Sequence, residues 1–246
     1  METELEPGIA NRVGHFAERG VACAVMPEPS RRSIIVWCAI FALVLVWSFI
    51  DPKDRFTWWL ESAPALIAFA ILAATRTSFP LTPLVYWLIL AHSIVLMIGG
   101  HYTYAEVPLF DWLKEPFGWT RNNYDKVGHF MQGLVPALVT RELLLRKTPL
   151  VRGGWLNVIV VSVCLAISAL YELIEWQVAV GTGEAADAFL GTQGDPWDTQ
   201  KDMATALIGA IVAVAALSRV HDRELSADRA LAAKVAPKMG PAARET

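Results

Sequence analysis

Residues 33–50 read SIIVWCAIFALVLVWSFI, eighteen positions without a formal charge. A helix needs about 20 mostly apolar residues to cross roughly 30 Å of hydrocarbon, so this run is long enough to span a membrane. Arg31 and Arg32 precede it, and Asp51, Pro52 and Lys53 end it. A basic start before an apolar stretch also marks a secretory signal peptide. Here the stretch is long and no small-residue cleavage site follows, so an uncleaved first span is expected.

Working outward, further apolar blocks follow at about 58–74, 81–99, 124–145, 155–176 and 199–217. Of the 246 residues, 54% are hydrophobic and 18% charged, below the roughly 25% charged residues of an average soluble domain. The expected fold is all-α, a polytopic membrane bundle of six transmembrane helices. Residues 1–32 read as a cytoplasmic tail, 33–218 as the membrane domain, and 219–246 as a cytoplasmic helix or tail. The fourth block holds Gly128, Gly133 and Pro136 and is the least apolar. Small residues let helices approach closely, which favours a place inside the bundle. Trp47, Trp58, Trp59, Trp155 and Trp176 fall near block ends, as an aromatic belt requires. Glu61, near the start of the second block, is expected at the membrane interface.

Orientation follows from the basic residues. Arg31, Arg32, Arg76, Arg141, Arg146, Lys147, Arg152, Arg219 and Arg223 fall in one set of alternating segments. Lys53, Arg55, Lys114, Arg121, Lys126 and Lys201 fall in the other. The first set is richer and closer to the helix ends, so the positive-inside rule places both termini in the cytoplasm. The net charge of −3, with no basic patch interleaved with aromatics, excludes a nucleic-acid partner. Cys23, Cys38 and Cys164 have neither zinc-site nor disulfide-framework spacing.

With this topology the unusual polar residues gather at the extracytoplasmic helix ends. Asp125 and His129 are four apart and share a helix face, which Gln132 continues. Glu172 and Glu175 are three apart, and Asp198 and Asp202 four apart. His101 ends the third block, and Asp195 precedes the sixth. Residues 101–126 and 172–202 together hold eleven acids and four bases. Carboxylates near a bilayer are protonated, paired or bound to a cation, and four bases cannot pair with eleven acids. A divalent ion (Zn²⁺, Mn²⁺, Fe²⁺ or Mg²⁺) held by Asp125, His129, Glu172, Asp198 and Asp202 would relieve the repulsion. Glu172, Glu175 and Asp198 are the candidate catalytic carboxylates. Plainer readings stand beside these: Asp125 and Asp198 suit helix N-termini as caps, and a lone histidine is more often a hydrogen-bonded core residue. The glutamates fit that plain view poorly, because a helix C-terminus disfavours anions. Two loops also invite comment. Residues 106–119 mix aromatics with acids and suit an interfacial lid, and the glycine-rich stretch 181–194 permits tight turns.

These motifs carry a resemblance. Asn123-Tyr124-Asp125-Lys126-Val127-Gly128-His129-Phe130, Tyr171-Glu172-Leu173-Ile174-Glu175-Trp176, and the run from Gly191 through Asp195-Pro196-Trp197-Asp198 to Met203 resemble the YjdF-like bacterial inner-membrane proteins. The resemblance covers about 35–217, implies an inner-membrane location and carries no established activity. A looser similarity is to the VanZ-like membrane proteins, through Asp125-Lys126-x-x-His129-Phe130. It departs where Asp202 has Ala206 four residues on instead of Asn.

Three functions compete at this stage. One is a metal-dependent hydrolase or transferase acting on a lipid or lipid-linked envelope substrate, with the bilayer as its partner. The second is a proton-coupled transporter. The third is a non-enzymatic membrane protein with a structural polar cluster. No Gly-x-Ser-x-Gly nucleophile motif or phosphate-binding glycine loop is present.

Overall fold

The structure is a computed structural model that describes residues 30–182 and 192–235. All its regular elements are helical: α1 (Arg31–Phe49), α2 (Arg55–Thr75), α3 (Pro83–Tyr102), a 3-10 turn (Tyr104–Glu106), α4 (Pro108–Phe117), α5 (Tyr124–Lys147), α6 (Gly154–Thr182), α7 (Asp198–Val212), a π segment (Ala213–Leu217) and α8 (Ser218–Val235).

Local chemistry sets the helix starts. The Ser30 hydroxyl accepts the Ser33 N–H at 3.1 Å, and the Asp54 carboxylate accepts the Thr57 N–H at 2.6 Å, each satisfying a donor the first turn leaves open. Pro83 and Pro108 sit in the first turns of α3 and α4, where a missing N–H costs nothing. Gly118 ends α4 with φ 64°, a left-handed value that side chains resist.

The bundle is organised around α5, which packs against α3, α6 and α7. The α5–α7 contact is made backbone to backbone. A Cβ on Gly133 would lie 1.8 Å from the Ala206 carbonyl oxygen, and one on Gly209 would lie 2.1 Å from that of Phe130. This approach sets the acidic starts of both helices side by side.

Among the described residues, five helical stretches are long and apolar enough to cross a membrane: Arg31–Phe49, Arg55–Thr75, Pro83–Tyr102, Gly154–Thr182 and Asp198–Ala227. The 24-residue α5 has the length but carries Asp125, Lys126, Arg141, Glu142, Arg146 and Lys147. Its neighbours explain the composition: a helix enclosed by others meets protein rather than lipid, and its charges find partners there.

Four residues sit differently from their expected places. Glu61 is buried at 4% exposure within the bundle rather than lying at the interface. Trp58 is also buried and donates its indole N–H to the Ser48 hydroxyl, whereas Trp47, Trp59, Trp155 and Trp176 are exposed as belt residues should be. Arg141 and Arg146, counted above as loop charges, are buried. They belong to a polar cluster at the end of α5 opposite the acidic motifs. Glu142, wholly buried, accepts the Thr82 N–H at 3.1 Å, the Thr82 hydroxyl at 2.8 Å and the Arg146 guanidinium at 2.6 Å. His221 of α8 lies 3.1 Å from the same carboxylate, and Arg141 reaches Asp222 at 2.8 Å. The helix after the last span is thus pinned onto α3 and α5.

Candidate functional site

Two bases stand among the acids where α5 and α7 begin. Arg121 pairs with Asp125 and with Asp198 at 2.5 Å, and reaches Asp195 at 3.4 Å. Lys126 lies 3.0 Å from Asp198, 2.6 Å from Asp202 and 3.2 Å from Asp125. Burial works against the Arg121 charge, but the hydrogen bond to Asp198 and the nearby charges of Asp125 and Asp202 outweigh it and raise its pKa. Asp195 stands at the edge. The Lys201 ammonium at 2.5 Å, helped by the Trp197 N–H, holds its carboxyl below the usual range. Neither Asp125 nor Asp198 therefore needs an ion to balance it. The oxygens of Asp125, Asp198 and Asp202 do lie within 4.8 Å of one another, but each of the three acids is already paired with Arg121, Lys126 or both.

One turn deeper the balance changes. His129 Nε2 is 3.6 Å from Asp202 Oδ1, and His129 Nδ1 is 3.8 Å from Glu172 Oε1. One ligand atom from each of His129, Glu172 and Asp202 falls within a common 4.8 Å. Gln132 Oε1 lies 3.2 Å from His129 Nδ1, so the glutamine orients the ring. Glu172 is 7% exposed, and its Oε1 has no hydrogen-bond partner among the described residues. The same holds for the buried Ser168 hydroxyl one turn away. An unmet buried polar atom costs about 1–3 kcal/mol, so such atoms mark where water, a cation or a ligand belongs. One imidazole and two carboxylates form a donor set suited to Zn²⁺ or Mn²⁺, with coordination positions left for water or substrate.

A cavity of about 260 Å³ adjoins this trio, lined in part by Glu61, His92, Tyr171, Glu175, His129 and Asp202. The Tyr171 hydroxyl lies 3.4 Å from Glu61. Glu175 is buried on the cavity wall and is not part of either ligand trio. Glu61 and His92 are the residues that sequence reasoning missed here. A single acid near a helix start looks interfacial, and an isolated mid-span histidine looks structural. Only helix packing brings them together.

His101 lies apart from the acids of α5, α6 and α7. Its ring packs tilted against Trp47 at 4.6 Å, and Nδ1 is 3.1 Å from the Ser48 carbonyl oxygen. The stretch 106–119 folds largely as α4, which buries none of its residues and exposes Leu109, Trp112 and Phe117. Most of the glycine-rich stretch, with Glu184 and Asp187, lies outside the described residues.

Residues 33–223 match the family described as "Predicted membrane protein (DUF2238)". The chain belongs to this family. It is also 51% identical over 183 residues to "Inner membrane protein YjdF" of Escherichia coli strain K12, a match covering 74% of this chain and 88% of the relative. No solved structure matches. With the helical bundle above, these matches make the chain a multi-pass protein of the bacterial inner membrane, embedded in the lipid bilayer. The YjdF-like resemblance stands, while the VanZ-like similarity is not supported by either match. Every candidate residue of α5, α6 and α7 falls inside the family match.

Proposed function

We propose that this DUF2238 protein is a divalent-cation-dependent hydrolase or transferase acting at the outer leaflet on a lipid or lipid-linked envelope substrate. One observation carries the reading. His129, Glu172 and Asp202 converge from three helices, and the buried Glu172 Oε1 lacks a hydrogen-bond partner among the described residues. An ion held there would act as a Lewis acid on a phosphoryl or acyl oxygen, or lower the pKa of a bound water. Glu175, on the wall of the adjoining cavity, would be the group that takes a proton from that water. Asp198, paired with Arg121 and Lys126, would hold those two cations in position.

The activity test uses purified protein in vesicles of labelled inner-membrane lipid, with Mn²⁺ or Zn²⁺ and with chelator. Release of a water-soluble product that needs the ion and disappears in Glu175→Gln is expected. Equal release from wild type and Glu175→Gln would count against the reading. The side of the membrane is tested in a cysteine-free background with an impermeant maleimide added to cells with a permeable outer membrane. Thr120→Cys, before α5, should react and Thr77→Cys, after α2, should not.

A second reading rests on the cavity itself. Glu61, Tyr171 and His92 extend the polar lining beyond the ligand trio, and intramembrane acids are common in proton relays. Proton-driven uptake in vesicles that is lost in Glu61→Gln would favour a transporter. Absence of any Glu61-dependent proton flux would remove that reading.

A further inference from the structure

A second concave surface lies on the lipid-facing side, far from the acids in character. It is a groove of about 300 Å³ between α1, α2 and α3, with Trp37, Phe69, Leu72, Ala73 and Trp87 among its walls. The aromatic wall is held in place. Trp37 donates its indole N–H to the Tyr86 carbonyl at 2.9 Å and stacks on Phe41 at 5.4 Å and on Phe69 at 6.1 Å. Helix α1 is the least enclosed of the spans, with 17% of its residues buried, so the groove faces hydrocarbon.

The charge at its mouth is one-sided. Arg76 is the single formally charged residue in the lining, and it is exposed. Its guanidinium makes no hydrogen bond or ion pair among the described residues. Ser30 and Ser33, at the start of α1, line the same mouth, and Arg31 and Arg32 lie in that first turn. The helix start adds partial positive charge, and the Ser30 and Ser33 hydroxyls, hydrogen-bonded to each other at 2.8 Å, leave one O–H to donate. Among the described residues, no acid lines the groove.

An apolar trough ending in an unpaired guanidinium, a serine hydroxyl and a helix N-terminus matches one amphiphile: a long hydrocarbon chain carrying a phosphate. We propose that this groove is a binding site for an anionic phospholipid. Its acyl chain lies along Trp37, Phe69, Leu72 and Trp87, and its headgroup sits at Arg76 and Ser33. Guanidinium suits phosphate through paired N–H donors, and the positive charge of Arg76 favours a net-anionic headgroup over one that also carries a quaternary ammonium. This site is independent of the cation site in residues and in ligand.

The test is native mass spectrometry of the full chain released from detergent. It is equilibrated with equal amounts of phosphatidylglycerol and phosphatidylcholine of matched chains. Wild type is expected to retain phosphatidylglycerol over phosphatidylcholine by about fivefold, the scale of one basic residue at a membrane surface. Arg76→Gln should bring the ratio close to one, and Arg76→Lys should keep most of the preference. Ala73→Trp, which fills the trough, should lower retention of both lipids. A ratio near one in wild type would overturn the proposal, and it is the result expected if another segment of this chain or a second copy fills the groove. An undiminished preference in Arg76→Gln would also overturn it. Arg76 is a surface residue, so that comparison decides the matter even where Ala73→Trp folds poorly.

Discussion

Gly133 on α5 lies so close to Ala206 on α7 that an added Cβ would stand 1.8 Å from the Ala206 carbonyl oxygen. Nothing in either residue is chemically reactive. Their contact nonetheless decides whether Asp125 and His129 can face Asp198 and Asp202, because all four sit within three turns of it. Gly133→Ala should force the two helices apart and destabilise the protein by about 1–3 kcal/mol, as overpacking does. Gly181→Ala, with nothing among the described residues within 4 Å of the new atom, serves as the control. Thermal unfolding in detergent should show a lower midpoint for the first variant and little change for the second.

Lys126 bonds both Asp198 and Asp202. Lys126→Met leaves two acids facing each other with one base fewer, and removing one partner of a buried pair costs about 3 kcal/mol. The double variant Lys126→Met with Asp198→Asn removes the surplus charge too. It should therefore recover part of the lost stability, read as the unfolding midpoint. Additive losses would mean that Lys126 and Asp198 act independently.

How much of this was legible before the structure depends on the kind of residue. Long apolar runs are local signals, so the helices could be read directly from the chain. The shared faces of Asp125 with His129, and of Asp198 with Asp202, follow from helical spacing alone. Which base meets which acid does not. Counting four bases against eleven acids suggested a general need for a cation, but Arg121 and Lys126 each serve several acids at once and concentrate on Asp125, Asp195, Asp198 and Asp202. The shortage of positive charge therefore falls on Glu172 and Glu175. Arg141 and Arg146 were misread for a similar reason. A basic residue near a span end looks like a loop charge until Glu142, His221 and Asp222 are seen around it.

That second cluster predicts a role for α8. Glu142 is wholly buried and satisfied by Thr82, Arg146 and His221. Glu142→Ala strands the buried Arg146 and should cost about 3–5 kcal/mol. Ending the chain after Leu217 removes His221 and Asp222, and should also lower the unfolding midpoint. A truncated protein as stable as the full chain would show that α8 is not part of the folded unit.

Binding of a divalent ion by His129, Glu172 and Asp202 is measured by calorimetric titration of chelator-treated protein with Zn²⁺ or Mn²⁺. One ion per chain is expected, with affinity reduced at least about tenfold in His129→Ala and in Glu172→Gln. Asp195→Asn, at the edge of the ion-pair network, should bind the ion as wild type does. No saturable binding by wild type, or equal affinity in wild type, His129→Ala and Glu172→Gln, would contradict it.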